Sequence, residues 1–411
     1  MKARGEGPQG VQTGRAARVC GGRWRLTLSI KDRDTRIDAI RAVVLSAVVI
    51  MNMMTLSGLA FLSPEARAEM LGPADLAVWN FLSIFLDGKA LAAFSFMFGF
   101  SFSIILQRAG PWAETYSARF VRRFVVLGAI GVFNAIFLFW ADILMTYALL
   151  GLILPLAARL SRGLILALGI ALILAGPAAL ALSGIDPPAP VPEGRIDSLQ
   201  AFASPSYADT VSENLNLVTG AADAVNGTLV LRLFMLSGLF LLGLALGKSG
   251  LTAQLAQLRG TVAKAGALCV AVGLLAGISL RVVDTPQGVA HLLYLDIPLM
   301  ALGYLMLLAS AVHGRQQGWL HTFLAPLGRM SLTGYLGASI LGQILFYGWG
   351  LQLIGQTGTL AVIGLSLAVV LVLAAFAQVW FRHFVYGPWE WLWRSLTLLQ
   401  PQPMTGRPAG S

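Results

Sequence analysis

Apolar residues run along most of this chain in windows of about twenty, and the polar positions between them are few and gathered at the window ends. The windows predict ten membrane-crossing helices, near 38–60, 88–107, 120–140, 142–159, 163–183, 228–247, 261–280, 289–312, 330–347 and 357–381. The third and fourth share the short hinge "FWADIL", and a partial helix over 75–86 reads as a segment lying in the membrane interface. The expected fold is all-α, a polytopic membrane bundle of about ten transmembrane helices. Its parts are a disordered basic cytoplasmic tail over 1–36, a first five-span half over 37–183 and an exported loop over 184–227. A second five-span half covers 228–381, an interfacial amphipathic helix 382–398, and a disordered tail 399–411.

Composition agrees with a bilayer as solvent: 57% of residues are hydrophobic, 12% are charged, and the mean hydropathy is +0.75. Forty-five glycines and eighteen prolines suit membrane helices, where small residues let backbones approach closely. The net charge of +10 raises the prospect of a nucleic-acid partner, but no nucleic-acid motif accompanies it. Its distribution points instead to orientation. With the N-terminus inside, 23 of the 29 Lys and Arg residues fall in cytoplasmic segments, four fall outside, and Arg41 and Arg232 lie within spans. That excess predicts an N-in, C-in topology in which the tail either grips anionic lipid or stays free. The 184–227 loop carries six acidic residues and one arginine, as an exported segment would. Cys20 and Cys269 show no metal-ligand spacing, and no disulfide is expected. The first 36 residues lack the apolar core of a cleavable signal peptide.

Ionisable or amide side chains inside a span are costly, and they face the bundle interior or a cavity by default. In "RIDAIRAVVLSAVVIMNMM", Asp38, Arg41 and Asn52 share one stripe of the first helix, with Asn52 about 16 Å beyond Arg41 by helical rise. Function aside, Asp38 caps the helix, Arg41 snorkels and Asn52 bonds a neighbouring helix. Carried through the topology, Asn52, Lys89, Asn134, Asp142, Arg232, His291 and Asp296 all fall at one outer depth. Arg232 and Asp296 are expected to form a buried ion pair. Lys89 either pairs with Asp142 or snorkels, and His291 and Asp142 are the candidate bases. Motifs for metals, nucleotides and serine hydrolysis are absent, and the four histidines form no metal cluster.

Five stretches carry a resemblance: "RIDAIRAVVLSAVVIMNMM", "DGKALAAFSFMFGFSFSIILQRA", "GVFNAIFLFWADILMTYALLGLIL", "GRMSLTGYL" and "YGPWEWLWRSLT". In that order they resemble the YeiB-like bacterial inner-membrane family, domain of unknown function 418, grouped with the membrane-bound acyltransferases. The match to the family pattern includes Asp38, Lys89, Asp142, Tyr147, Arg329, Tyr335, Glu390, Trp391, Trp393 and Arg394. The resemblance implies a multi-pass inner-membrane protein that transfers an acyl group from a cytoplasmic thioester, acyl-CoA, to an extracytoplasmic acceptor that is a glycan or lipid-linked. Arg41 stands where the polysaccharide O-acetylases of that group carry an arginine in the first span, and Asn52 where they carry, eleven residues later, the histidine that the resemblance casts as base. Asn134 and Gly334 also depart from the family pattern, which has histidine and asparagine there.

Glu390 and Arg394, spaced i,i+4, are expected to pair on a terminal helix whose tryptophans sit at headgroup level. Three readings follow: acyl transfer, with Arg41 toward the donor and Asn52, Lys89, Asn134, Arg232 and Asp296 holding the acceptor; a transporter or flippase of a small or lipid-like solute; and a catalytically silent scaffold. The residues firmly imply no cofactor, and they leave substrate and oligomeric state open.

Overall fold

A bilayer offers no partner to a bare N–H or C=O, so a chain this apolar has to satisfy its backbone within helices. The computed structural model describes residues 34–109, 117–183, 196–223, 227–250, 254–282, 294–314 and 318–405; these are predominantly helical and contain no β-strand. α1 (Thr35–Leu56) leads through a 3₁₀ turn to α2 (Pro64–Met70), α3 (Pro73–Phe85) and α4 (Lys89–Ala109). α5 (Ser117–Phe133) continues into a π-turn, Asn134–Leu138, followed by α6 (Leu144–Gly151), α7 (Ile153–Ala157) and α8 (Arg162–Ser183). Next come α9 (Ile196–Ala203), α10 (Tyr207–Asp223), α11 (Gly227–Gly247), α12 (Leu255–Val282) and α13 (Asp296–Gly314). α14 (Trp319–Arg329), α15 (Ser331–Phe346), α16 (Thr359–Trp380) and α17 (Pro388–Leu398) complete the chain.

Among the described residues, eight helical stretches are long and apolar enough to cross a membrane, and Leu144–Ala157 and Ser331–Phe346 are shorter apolar helices. These ten coincide with the ten apolar windows. The segment over 75–86 behaves differently from expectation: α3 and α4 form one nearly continuous stretch, Pro73–Gln107, interrupted only over residues 86–88. Gly88 has φ of 71°, a left-handed conformation that ends one helix and re-aims the next. Two further helices, α9 and α10, occupy the loop that separates the halves. α14 lies where the sequence suggested only a connection; eleven residues are too few to span, and it packs along α1 instead.

Without a hydrophobic drive between helices in lipid, close backbone approach decides which helices pair. α4 meets α11 through two such contacts: a Cβ on Gly99 would collide with the Phe240 carbonyl, and one on Gly243 with the Phe96 carbonyl. Gly169 and Gly238 join α8 to α11 in the same way, and Gly266 and Gly303 join α12 to α13. Gly328 of α14 lies directly against the Asp38 carbonyl of α1.

Two helix starts borrow their caps from elsewhere in the chain. Asp75 of α3 accepts from the Leu360 N–H of α16 at 2.7 Å, and Glu390 of α17 serves the start of α15. Each cap satisfies an amide that the helix itself leaves open and places negative charge at the positive end of the dipole.

Candidate functional site

Lys89 and Asp296 each open a helix, and their charged ends meet at 2.8 Å. Both residues are 3% exposed, so neither charge reaches bulk water and each depends on the other. The helix dipoles favour Asp296 at the start of α13 and disfavour Lys89 at the start of α4. Gly277 of α12 makes room here, since a Cβ on it would lie 3.0 Å from Asp296 Oδ2. The expected partnership of Arg232 with Asp296 is not the one formed. Lys89 takes Asp296, and the acid acting on Arg232 is Asp87. Lys89 therefore neither snorkels nor pairs with Asp142.

Beside this pair a cleft of about 420 Å³ opens between four helices. α1 contributes Val43, Val44 and Ala47, α3 contributes Phe85, α4 contributes Ala93, and the polar side chains on its wall are those of Lys89 and Tyr304. Tyr304 Oη donates to the Phe85 carbonyl at 3.0 Å, which ties α13 to α3 across the cleft.

A second polar group gathers Asn52, Asn134, Asp142 and Tyr335. Asn134, fully buried, donates Nδ2 to Asp142 Oδ1 at 2.8 Å, and Asp142 Oδ2 accepts from the Met145 N–H at 2.8 Å. Asp142 thus caps the start of α6. Tyr335 Oη lies beside both the Asp142 carboxylate and the Asn52 side chain. The π-turn leaves carbonyls open, and distant side chains close them: Asn214 serves Ile136 at 3.1 Å, Tyr207 serves Phe137 at 2.6 Å, and Gln343 serves Leu138. Asn134 Oδ1 is buried with no hydrogen-bond partner among the described residues. The outer residues expected at one depth therefore fall into two sets, Asn52, Asn134 and Asp142 in one and Lys89 and Asp296 in the other. None of the first set lines the cleft. His291 lies outside the described residues.

Toward the start of α1, Arg41 Nη1 pairs with Asp38 Oδ1 at 2.7 Å, while Nε and Nη2 donate to Ser101 Oγ at 3.2 and 2.8 Å. Arg41 is held inward by α4. Tyr147 Oη of α6, fully buried, reaches the same helix: it hydrogen-bonds with Ser95 Oγ at 2.7 Å and donates to the Leu91 carbonyl at 3.2 Å. Ser101 and Tyr304 escaped the sequence reading because a serine or tyrosine in a span is common; only the small-residue face of "FMFGFSFS" hinted at Ser101.

The closing motif is a structural joint. Arg329 Nη2 donates to the Val385 carbonyl at 2.6 Å, and its guanidinium sits 4.1 Å from the Phe381 ring centroid. Trp391 Nε1 donates to the Gln402 carbonyl at 2.7 Å and Trp393 Nε1 to the Arg123 carbonyl at 2.8 Å. The tryptophans hold α17 to the bundle and the following chain. Glu390 does not pair with Arg394: its carboxylate accepts from the Leu332 and Thr333 N–H groups and from Thr333 Oγ1. Burial pushes the Glu390 carboxyl above its ordinary range, against hydrogen bonds that pull it down.

Described residues that are predominantly helical, with apolar exteriors and paired charges within, define a helical membrane protein. Residues 246–400 match the family described as "Protein of unknown function (DUF418)". Over 390 residues the chain is 29% identical to "Uncharacterized protein YeiB" of Escherichia coli (strain K12), covering 90% of this chain and 98% of that one. It is 27% identical over 390 residues to "Uncharacterized protein YxaH" of Bacillus subtilis (strain 168), covering 90% and 95%. By the family match over its C-terminal part and by these similarities over most of its length, the chain is similar to the YeiB-like DUF418 proteins. The matched region holds Asp296, Arg329, Tyr335 and Glu390.

Proposed function

We infer that the protein is a multi-pass inner-membrane protein, N-in and C-in with ten crossings, that binds and moves a lipid-like amphiphile. The cleft beside Lys89 and Asp296 carries this reading. Its volume of about 420 Å³ falls within the range of small-molecule sites, roughly 300–1,000 Å³. An apolar chain suits its walls, and an anionic head suits Lys89, whose present counter-charge Asp296 can be shared or displaced.

Reconstitution into liposomes tests the reading. Movement of a fluorescent phospholipid between leaflets, followed by bleaching from outside with a membrane-impermeant reductant, is expected to accelerate with the protein. Ala93→Phe, which fills the cleft, is expected to reduce the acceleration. Equal rates with empty and protein-containing liposomes would overturn it.

Acyl transfer is the second reading, favoured by one observation: the α1 residues that line the cleft stand between Arg41 and Asn52. An acyl chain drawn from acyl-CoA would then lie in the cleft, with the donor's polar part toward Arg41 and a glycan or lipid-linked acceptor toward Asn52, Asn134 and Asp142. Covalent change of the solute, detected by mass spectrometry of the lipid fraction, separates this reading from movement alone.

A further inference from the structure

α17 brings Arg394 back against the start of α5, where Arg122 and Arg123 follow one another. The Arg123 guanidinium lies over the Trp393 ring, 3.6 Å from its centroid, while Trp393 Nε1 donates to the Arg123 carbonyl. Arg122 Nη1 donates to the Thr397 carbonyl at 3.1 Å, which draws it to the same helix. Arg394 sits over the Tyr386 ring at 5.2 Å, and its Nε is buried without a hydrogen-bond partner among the described residues. All three arginines keep part of their surface exposed.

Arg394 directly follows Trp393, whose ring carries Arg123, so α17 sets a second charge of the same sign next to that contact. Glu390, one turn before Arg394, is the carboxylate placed to neutralise it, but Leu332 and Thr333 occupy it. Among the described residues no carboxylate forms an ion pair with Arg122, Arg123 or Arg394. Aromatic rings fix two of these like charges in place, so they are not free to diverge as flexible surface side chains would. Guanidiniums stacked on rings still present their N–H edges, whose planar fork matches the oxygens of a phosphate.

We propose that Arg123 and Arg394, supported by Arg122, form a binding site for a phosphate group. Three cations without an acid suit a multiply charged oxyanion better than a single carboxylate. The site is at the same end of the bundle as Arg41, through the contacts of Asp38 with Gly328, Arg329 with Val385, and Thr333 with Glu390. It is separate from the cleft, which none of the three arginines lines. The phosphate belongs either to a lipid headgroup or to a soluble phosphate compound.

Full-length protein in an uncharged detergent is titrated with pyrophosphate. In parallel it is placed in phosphatidylcholine nanodiscs with and without phosphatidic acid, and bound lipid is read by native mass spectrometry. Saturable pyrophosphate binding supports the site with a soluble ligand, and selective retention of phosphatidic acid supports it with a lipid. In either arm Arg123→Gln and Arg394→Gln are each expected to weaken binding by about tenfold. Arg382→Gln, an exposed arginine nearby in the chain, is expected to leave it unchanged, and Arg394→Lys to fall between. The proposal is overturned if the wild-type protein binds neither probe saturably. It is equally overturned if the two glutamine variants bind like wild type, or if Arg382→Gln loses as much as they do.

Discussion

The Glu390 carboxylate of α17 accepts hydrogen bonds from the backbone N–H groups of Leu332, at 2.7 Å, and Thr333, at 3.1 Å, the residues that open α15. The C-terminal helix therefore completes a helix whose capped amides precede Glu390 by 57 and 58 residues. Removing the carboxylate with Glu390→Ala leaves those amides without partners and is expected to cost about 1–3 kcal/mol. Thermal unfolding in detergent, read as a lower Tm, checks this.

The same residue gives a pH dependence. Its folded-state pKa is raised above the ordinary 4.5, so the folded protein holds the proton more tightly than the unfolded chain. Its stabilising contribution is full below pH 4.5 and is lost as the pH rises through the raised value. Wild type should thus gain stability relative to Glu390→Gln as the pH falls toward 4.5, and parallel Tm profiles for the two would contradict the assignment.

Lys89 and Asp296 offer a cleaner test of pairing because both are shielded from water. Asp296→Asn strands a buried ammonium and is expected to cost roughly 3–5 kcal/mol, whereas replacing both partners by apolar residues leaves no stranded charge. The double variant Lys89→Met with Asp296→Leu should melt above the Asp296→Asn single variant. A double-mutant cycle in which the two changes simply add would remove the pair as a unit.

The bundle was legible in the sequence because span length and apolar windows are one-dimensional properties. All ten windows coincide with apolar helices, including the two short ones. Partner choice was not legible. Depth placed Arg232, Lys89, Asp142 and Asp296 together, yet which cation reaches Asp296 depends on where around its helix each side chain points and on Gly277 making room. Asn52, Asn134 and Asp142 did come together as depth suggested. Glu390 shows a second limit: i,i+4 spacing names Arg394 as its partner, but open amides on α15, far away in sequence, compete for the same oxygens. α14 was missed because eleven amphipathic residues fall below any span-length window.

Glycine contacts make a prediction with an internal control. A Cβ on Gly99 meets the Phe240 carbonyl, a backbone atom that cannot swing aside, so Gly99→Ala is expected to cost about 1–3 kcal/mol by forcing α4 and α11 apart. Gly260 of α12 has nothing within 4 Å of that position. There Gly260→Ala should be neutral or stabilise by up to about 1 kcal/mol, from helix propensity alone. Tm values that fall equally for both variants would show that the α4–α11 approach is not what Gly99 secures.

Asp142 and Asn134 pose the sharpest question about the cluster they form with Asn52 and Tyr335, because a helix cap and a general base demand different things of one carboxylate. As a cap, Asp142 needs an acceptor oxygen for the Met145 N–H and another for Asn134 Nδ2. Asp142→Asn keeps the first and replaces the second by a donor, which would face the Asn134 amide donor to donor. Asn134 has a remedy, since its Oδ1 has no partner among the described residues and turning the amide over presents that oxygen to the new NH₂ group. Asp142→Asn should therefore cost less than Asp142→Ala, which leaves the Met145 N–H and the Asn134 amide without acceptors at about 1–3 kcal/mol. Asn134→Asp alone sets two carboxylates against each other and should be worse than Asp142→Asn. Exchanging the two residues, Asn134→Asp with Asp142→Asn, restores one carboxylate and one amide and should recover much of the loss. Activity then divides the roles: if Asp142 acts only by holding α6, Asp142→Asn keeps the rate of lipid movement or acyl transfer while the Tm shifts slightly. A general base loses turnover in the same variant at the same small Tm shift, because an amide cannot take the proton at neutral pH.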